Sequence, residues 1–300
     1  MNLKIGMLIK SIKMDWLQGD KFKEIVDFTY SPEDKLPDDY DNLLNTFDLA
    51  LLKDTNIVYT HMGYVKQLFD VIRGLDKKFI IVTHSCDCSI EDYGIRRPDG
   101  TRKIQAIYTF TIPDNVVKWY SKNINTVDSR IESIPTGIEN NRWFEKVYKK
   151  EKMLEICKQP RKIRNIVYMN FNISTNPDER QWIYDLYRKK EWVTTRNGKN
   201  GKDFDQYIDD IYNHKFVFCP GGNGLDSHRK WECLYVGTIP IEKRNIDNQF
   251  YQDLPICFVN EWKDVTLSFL TTEFVRIKAT IWNMDKLNFE YWKNKIQSCK

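Results

Sequence analysis

The chain has 300 residues, of which 41% are hydrophobic and 14% aromatic, enough for one large or two ordinary domains, and this composition excludes a disordered protein. Its 46 basic and 42 acidic residues give a net charge of +4, and because the two signs are interleaved they exclude the basic stripe of a nucleic-acid-binding protein. Seven Cys residues without a C-x-x-C spacing indicate a reduced, intracellular protein and neither a disulfide framework nor a zinc site.

The first residues of the chain differ from a secretory signal. Up to Leu17 the apolar residues are interrupted by Lys4, Lys10, Lys13 and Asp15, so the continuous apolar region of a signal peptide is missing. No stretch of the sequence reaches the roughly 18 apolar residues of a membrane span. We therefore expect a cytoplasmic protein without a membrane span.

The first half alternates short β-rich runs with helical patterns. Residues 56–60 and 79–83 are rich in β-branched residues and predict two strands, and residues 64–75 between them have apolar residues at helical spacing. This is the pattern of a βαβ unit. The same patterns predict three further elements, which are a strand at 106–112, a short helix at 115–122 and a strand at 131–134.

A Lys- and Glu-rich segment at 145–164, which includes Pro160, predicts a linker that could be partly helical. The alternation of strands and helices then resumes. The predicted strands are 165–169, 192–194, 215–219, 238–241 and 256–259, and the predicted helices are 179–190, 204–213 and 227–235. Apolar residues at helical spacing between 267 and 297 predict closing helices that pack across the domains.

Two such alternations predict the fold class α/β, with two Rossmann-like domains facing a central cleft. We place the N-terminal domain at residues 1–150 and the C-terminal domain at residues 151–280, with a helix at about 280–300 packing back on the first domain. Ligands of open α/β sheets bind outside the C-terminal ends of the strands. Functional residues are therefore expected in the loops at those ends.

The most informative segment runs from Phe216 to Glu232. A strand leads into Pro220, after which three of four residues are Gly, so the backbone can approach a ligand closely. Asp226 or Ser227 can cap the helix that follows. Free amides at the start of that helix favour an anion such as a diphosphate.

Charged side chains follow on this predicted helix. His228 lies in the first turn, and Arg229 and Glu232 share one face because they are three residues apart. A guanidinium suits phosphate oxygens, while a carboxylate can accept hydrogen bonds from both hydroxyls of a ribose. The alternative is a Gly-rich turn followed by an ordinary amphipathic helix with an Arg229–Glu232 ion pair.

Residues 219–241 read CPGGNGLDSHRKWECLYVGTIPI. This segment resembles the signature of exostosin-like glycosyltransferases (family 47) and their small bacterial and large-DNA-virus relatives. These usually have Pro-Arg-Gly-Asn-Gly, then His-Arg-x-Trp-Glu-Ala-Leu and a Gly-x-Ile-Pro-Ile strand, so Gly221 stands where Arg is usual. The resemblance is dense over about 205–260 and loose over the first 150 residues. It implies a GT-B fold, inversion at the anomeric carbon, and no required metal or other cofactor.

The same resemblance implies a sugar donor in the C-terminal domain and an acceptor on the side of the N-terminal domain. The donor would be a nucleotide-diphosphate sugar, with UDP-sugars favoured over GDP-sugars, and the acceptor would be a hydroxyl of a glycan. The residues implied to bind the donor are Gly222, Asn223, Gly224, Ser227, His228, Arg229 and Glu232.

A second segment resembles relatives that have Asn-Phe-Asn followed by an Arg. Here the triplet ends at Asn172, at the end of a predicted strand. A strand–loop–helix at this place would present Asn172, Thr175 and Arg180 to the diphosphate. The alternative is a capped surface helix with a solvated Arg.

Inverting transfer also needs a general base across the cleft from the donor. His61 follows one predicted strand of the first half, and His84 and Asp87 follow the next. The loop with Asp87 resembles a Thr-His-Asn-Ser-Asp pattern of relatives, which makes Asp87 the first choice, with His84 or His61 as alternatives. Glu139 ends a segment similar to a Pro-x-Gly-Ile-Glu near the donor in relatives, where it could contact either sugar or cap a helix.

Three functions are therefore open at the level of sequence. The first is an inverting glycosyltransferase with a nucleotide-sugar donor and a glycan acceptor as its partners. The second is a non-catalytic or degenerate nucleotide-sugar-binding protein, which Gly221 favours. The third is a nucleotide-sugar epimerase of the same fold, which would need no acceptor.

Overall fold

The computed structural model describes residues 15–30, 52–90, 94–96, 102–104, 111–140, 150–197 and 203–299. In chain order, its strands are β1 (Phe28–Tyr30), β2 (Ile57–His61), β3 (Phe79–His84), β4 (Gly94–Arg96), β5 (Arg102–Ile104), β6 (Val116–Ser121), β7 (Ile131–Ser133), β8 (Asn165–Phe171), β9 (Val193–Asn197), β10 (His214–Phe218), β11 (Ile239–Lys243) and β12 (Cys257–Val259). Its α-helices are α1 (Val65–Ile72), α2 (Lys150–Lys158), α3 (Pro177–Tyr187), α4 (Phe204–Tyr212), α5 (His228–Val236), α6 (Leu267–Ala279) and α7 (Phe289–Gln297).

Within the described ranges, the strands form two five-stranded sheets and one sheet of two strands. The first sheet has the order β1-β2-β3-β6-β7 and the second the order β12-β11-β10-β8-β9. Neighbouring strands are parallel in both sheets, whereas β4 and β5 pair antiparallel. The predicted fold class, α/β with two Rossmann-like units on either side of a cleft, is confirmed.

The central strands of the first sheet are apolar because both of their faces are covered. Every residue of β3 is buried, and so is every residue of β2 except His61. β2 pairs with β3 in register from Ile57 opposite Ile80 to His61 opposite His84. Such continuous apolar runs are typical of parallel strands between two layers, and they place both strand ends at the same edge of the sheet.

The predicted helix at 115–122 is wrong, because this segment forms β6. It begins with two Val residues and continues into Trp119 and Tyr120, residue types that favour strands. Trp119 and Tyr120 are both buried and belong to different apolar clusters, as expected when successive strand residues point to opposite faces.

Other differences are smaller. The sequence gives no clear signal for β1, the three-residue edge strand. Of the predicted strand at 106–112, residues 106–110 lie outside the described residues, and Thr111 and Ile112 precede β6 without belonging to a strand. Within the predicted linker, α2 is a helix whose Met153 and Ile156 are buried.

A shared apolar core joins the two halves. One cluster contains Leu17 and Phe22 of the first half, Tyr235 of α5, and Trp292 of α7. The backbone N–H of Phe289 donates to the Asp15 carbonyl at 2.9 Å. The C-terminal helix therefore contacts the first half, while the domain boundaries remain a prediction.

No helix within the described ranges is long and apolar enough to cross a membrane.

Candidate functional site

A cleft of about 420 Å³ lies between the two sheets and is lined by both halves of the chain, a size within the usual range for small-molecule sites. The first half contributes Gly19, His84, Ser85, Asp87, Lys122, Thr136, Glu139 and Asn140. The second half contributes Thr175, Arg180, Gly222, Asn223, Gly224, Asp226, Ser227 and His228.

The floor of the cleft in the second half is the glycine loop, residues 219–227, which connects β10 to α5. The Gly222 N–H donates to the Gly224 carbonyl at 2.8 Å and closes a tight turn. A Cβ at Gly222 would lie 2.8 Å from Arg180 Nη2. Glycine is therefore needed here because the loop packs directly on a guanidinium.

Arg180 on α3 is buried, and its guanidinium donates hydrogen bonds to the glycine loop. Its Nε donates to the Gly221 carbonyl at 2.8 Å and its Nη2 to the Pro220 carbonyl at 3.2 Å. Its Nη1 donates to the Asn172 carbonyl at 2.8 Å and to Thr175 Oγ1 at 2.5 Å. Arg180 thus joins the two predicted donor segments, whereas the sequence suggested either a direct phosphate contact or a solvated Arg; the solvated alternative is wrong, because Arg180 is buried.

Two guanidinium groups, those of Arg180 and Arg229, lie close together beneath the loop, with the carboxylates of Glu179 and Glu232 beside them. Burial, and then the neighbouring Arg229 guanidinium, lower the pKa of Arg180 to about 10. An anion bound near Arg180 would offset part of the repulsion between the two guanidinium groups.

The start of α5 opens into the cleft without a side-chain cap. Ser227 occupies the N-cap position with extended backbone, yet its side chain makes no capping hydrogen bond. Within the described ranges, its Oγ and the Thr136 Oγ1 across the cleft are buried without hydrogen-bond partners. Uncapped amides and unpartnered hydroxyls at a helix N-terminus form a site suited to phosphate or carboxylate oxygens.

His228, the first residue of α5, links the second half to the first. Its Nδ1 lies 2.7 Å from the Gly137 carbonyl, and because a carbonyl only accepts, this nitrogen carries the proton. Its Nε2 lies 3.5 Å from Glu139 Oε2. A protonated His228 would therefore form an ion pair with Glu139 across the cleft.

Asp226 also links the halves and has no capping role. Its N–H donates to Asn123 Oδ1 at 2.8 Å, and its Oδ2 accepts from the Thr136 N–H and from Trp231 Nε1, both at 2.8 Å. Lys230 Nζ lies 2.8 Å from its Oδ1. The Asp226 carboxylate thus stabilises the contact between the two halves.

Arg229 and Glu232 lie beneath the glycine loop and outside the lining of the cleft. Glu232 is 1% exposed, and its Oε2 accepts from Tyr207 OH at 2.6 Å. Burial raises the pKa of Glu232, against the lowering effect of this bond. Glu232 Oε1 and Arg229 Nε are buried without hydrogen-bond partners within the described ranges, so their contact with a nucleotide stays a prediction.

The three predicted bases have different environments. His84 Nε2 lies 3.0 Å from the Pro135 carbonyl and its Nδ1 accepts from the Ser85 N–H at 2.7 Å. Burial, and then Lys122, hold the pKa of His84 well below its usual range. With both ring nitrogens engaged, His84 is less suited to accept a proton from an acceptor hydroxyl, and its role as a base stays a prediction.

His61 is outside the lining of the cleft. Its Nδ1 accepts from the Gly63 N–H at 3.2 Å, and burial lowers its pKa to about 4, assisted by Lys122. Asp87, in contrast, lines the cleft with a side chain that is 55% exposed, and its Oδ1 lies 3.8 Å from Lys122 Nζ. The structure therefore leaves Asp87 as the best placed of the three.

Several lining residues were not predicted from the sequence. Lys122 lines the cleft directly after β6, and it was missed because β6 was predicted as a helix. Thr136 could have been found, because it follows β7 in a Pro-Thr-Gly turn. Gly19 has no local signal: its Cβ would lie 2.4 Å from His84 Nδ1, a contact that arises only in the folded chain.

The described residues contain no group of three or more His, Cys, Asp or Glu side chains that could hold a metal ion.

No protein-family model and no curated protein matches the chain. Among solved structures, the chain is similar to one described as the crystal structure of an alpha1,3-fucosyltransferase, with a TM-score of 0.41 and 9% sequence identity. The match covers 81% of this chain and 78% of the other. The resemblance to exostosin-like enzymes is not confirmed by these comparisons.

Proposed function

We propose that the cleft binds a nucleotide-diphosphate sugar and that the protein transfers the sugar to a hydroxyl of a glycan, with inversion at the anomeric carbon. The observation that carries this proposal is the uncapped start of α5, where Ser227 and Thr136 offer unpartnered hydroxyls above the buried cation Arg180. A diphosphate would accept hydrogen bonds from these groups and neutralise the cation.

The reaction needs a base on the opposite wall, and we assign Asp87. As the acceptor oxygen attacks the anomeric carbon, Asp87 would take the hydroxyl proton. The bond between the sugar and the diphosphate would break, with its electron pair passing to the leaving phosphate oxygen. The helix start, Arg180 and Lys122 would stabilise the charge that develops there.

The nucleoside would extend towards Arg229 and Glu232. Each of these side chains has a buried polar atom without a partner in the described part of the chain. A carboxylate oxygen in this position suits a ribose hydroxyl. Because Glu232 is 1% exposed, its contact with a ribose would require the glycine loop or the Tyr207 side chain to move.

The proposal includes no metal. Arg180, Lys122 and the partial positive charge of the α5 N-terminus are three separate sources of compensation for a leaving diphosphate. A UDP-sugar is favoured as donor, with a GDP-sugar as the alternative.

Nucleotide binding tests the proposal most directly. We expect calorimetry to detect binding of UDP, or of GDP, by the wild-type protein and a loss of about tenfold or more in affinity in Gly222→Ala, whose Cβ would meet Arg180 Nη2 at 2.8 Å. Gly74→Ala is the matched control, because nothing lies within 4 Å of a Cβ there. Failure of both nucleotides to bind the wild-type protein would contradict the proposal.

Product analysis separates the remaining alternatives. With a sugar nucleotide and a set of glycan acceptors, the proposal expects a glycosylated acceptor and free nucleotide. Binding without turnover would identify a degenerate binding protein. An altered sugar still attached to its nucleotide would identify an epimerase.

A further inference from the structure

Asn123 lies two residues after the end of β6. Its backbone conformation is unusual and its side chain is buried. Its φ is 56°, in the left-handed region, and its exposure is 0%. Asn tolerates this conformation better than most residues other than Gly. A residue held in this way commonly serves a specific contact.

The contact that Asn123 makes is with the end of the glycine loop, on the other half of the chain. Its Oδ1 accepts from the Asp226 N–H at 2.8 Å, and its Nδ2 lies 3.4 Å from the Cys86 carbonyl. A Cβ at Gly224 would lie 2.6 Å from Asn123 Nδ2 and 3.0 Å from its Cγ. The amide is therefore packed flat against the backbone of the loop.

The loop is thus held at two points by different halves of the chain. Arg180 binds the carbonyls of Pro220 and Gly221 at the start of the loop from within the second half. Asn123 binds the end of the loop from the first half, beside the Thr136 N–H that donates to the Asp226 carboxylate. Opening of the cleft would leave the contacts of Arg180 intact and break those that Asn123 makes with Gly224 and Asp226.

We propose that Asn123 is a positioning residue that holds the end of the glycine loop in its ligand-binding shape, so that the donor site is complete only when the two halves are closed on each other. The part that concerns the donor rests on the proposed function. Asn123 touches no reacting atom in this scheme and acts through Gly224 and Asp226.

Two substitutions at Asn123 distinguish the effect of its side-chain amide from the effect of its backbone conformation. Asn123→Gly keeps the left-handed conformation and removes the bond to Asp226, whereas Asn123→Asp keeps an acceptor for the Asp226 N–H. We expect Asn123→Gly to weaken UDP or GDP binding about tenfold and to raise the donor KM with kcat within about twofold. Because Asn123→Asp also adds a negative charge near the donor site, its readout is exchange of the Asp226 amide, which should stay near the wild-type rate since the acceptor is retained; a merely structural loss would not predict this.

Gly224→Ala tests the close packing independently. Its Cβ would collide with the Asn123 amide, so we expect weaker nucleotide binding in the single variant. In the double variant with Asn123→Gly the amide is absent, and we expect the added Ala to have no further effect. Additive losses would overturn the proposal.

Hydrogen exchange measures the position of the loop without any nucleotide. We expect Asn123→Gly to speed exchange of the Asp226 amide and to leave the Gly222 amide, which bonds within the loop, unchanged. Asn283→Gly is the matched control, because Asn283 Oδ1 is exposed and accepts the Asp285 N–H at 2.9 Å away from the cleft. Wild-type exchange at Asp226 in Asn123→Gly would overturn the proposal.

The two proposals fail in different ways. If the wild-type protein binds neither nucleotide but Asp226 exchange rises in Asn123→Gly, the proposed function fails and the positioning role stands. If Asn123→Gly unfolds at a much lower temperature, its exchange data do not test the positioning role, and the other two variants test it instead. Asn123→Asp must then retain wild-type exchange and Gly224→Ala must raise it, and the opposite results would overturn the role.

Discussion

Two carboxylates of the first half line the cleft, and their contacts separate their roles. Glu139 Oε1 accepts from the Asn140 N–H at 2.9 Å, and its Oε2 faces His228 Nε2 at 3.5 Å. Asp87 is more exposed and lies beside Lys122. We infer that Glu139 orders the wall of the cleft and that Asp87 handles the acceptor proton.

Asp87→Asn is expected to leave nucleotide affinity unchanged and to lower kcat by about 100-fold or more, because general-base catalysis contributes roughly 10²–10⁴. Asp70→Asn is the control, since Asp70 is a half-exposed Asp paired with Lys66 on the surface of α1. Calorimetry measures the nucleotide affinity, and steady-state transfer assays measure kcat. A wild-type kcat in Asp87→Asn would remove it as the base.

At the scale of elements, the start of α5 is the feature on which the proposed phosphate binding depends. Ser227 lies at the N-cap without making the capping bond, a bond that typically stabilises a helix by about 1 kcal/mol. A helix left without this stabilisation and open to a cleft has free amides that are available to the proposed anionic ligand.

Ser227→Asp is expected to change stability and binding in opposite directions. The carboxylate can cap α5 and interact favourably with its dipole, so the free energy of unfolding should rise by about 0.5–1 kcal/mol. The same charge should repel a diphosphate and weaken UDP or GDP binding at least about tenfold. Urea unfolding and calorimetry measure the two effects, with Ser227→Ala as the uncharged control. Equal or tighter nucleotide binding in Ser227→Asp would contradict a phosphate site here.

The elements also explain which parts of the fold and of the site could be predicted from the sequence alone. Buried parallel strands such as β2, β3 and β10 are continuous apolar runs followed by polar loops, so the α/β class and the glycine loop were predictable. β6 was not, because a six-residue segment with two Val, a Lys and two aromatic residues fits a short helix as well as a strand. That one ambiguity hid Lys122, which lines the cleft, and Asn123, which contacts the glycine loop.

At the scale of the whole molecule, the two halves meet through buried polar contacts that have no local sequence signal. Asp247 Oδ1, in the second half, accepts from the Ile124 N–H at 2.9 Å and from Ser133 Oγ at 2.8 Å. These partners are more than 100 residues apart in the sequence. Local patterns describe neighbours along the chain, so contacts of this kind could not be predicted.

A buried charge cluster lies behind this contact. Lys230 Nζ is 2.8 Å from Asp226 Oδ1 and 3.5 Å from Glu242 Oε1. Burial raises the pKa of Glu242 to about 7, against the opposing effect of Lys230, and burial also raises the pKa of Asp247 to about 6. One lysine therefore faces three carboxylates, and the cluster holds extra protons near neutral pH.

Glu242→Gln is expected to become more stable relative to the wild-type protein as the pH rises from 5 to 8. The folded wild type binds a proton at Glu242 up to a pKa of about 7, whereas the unfolded chain releases it near pH 4.5, so wild-type stability falls across this window. His61, His84 and His214 have lowered pKa values and act in the opposite direction, but they are common to both proteins and cancel in the difference. Urea unfolding at several pH values measures this difference, with the exposed Glu290→Gln as control. Parallel curves for the wild type and Glu242→Gln would show that Glu242 does not bind this proton.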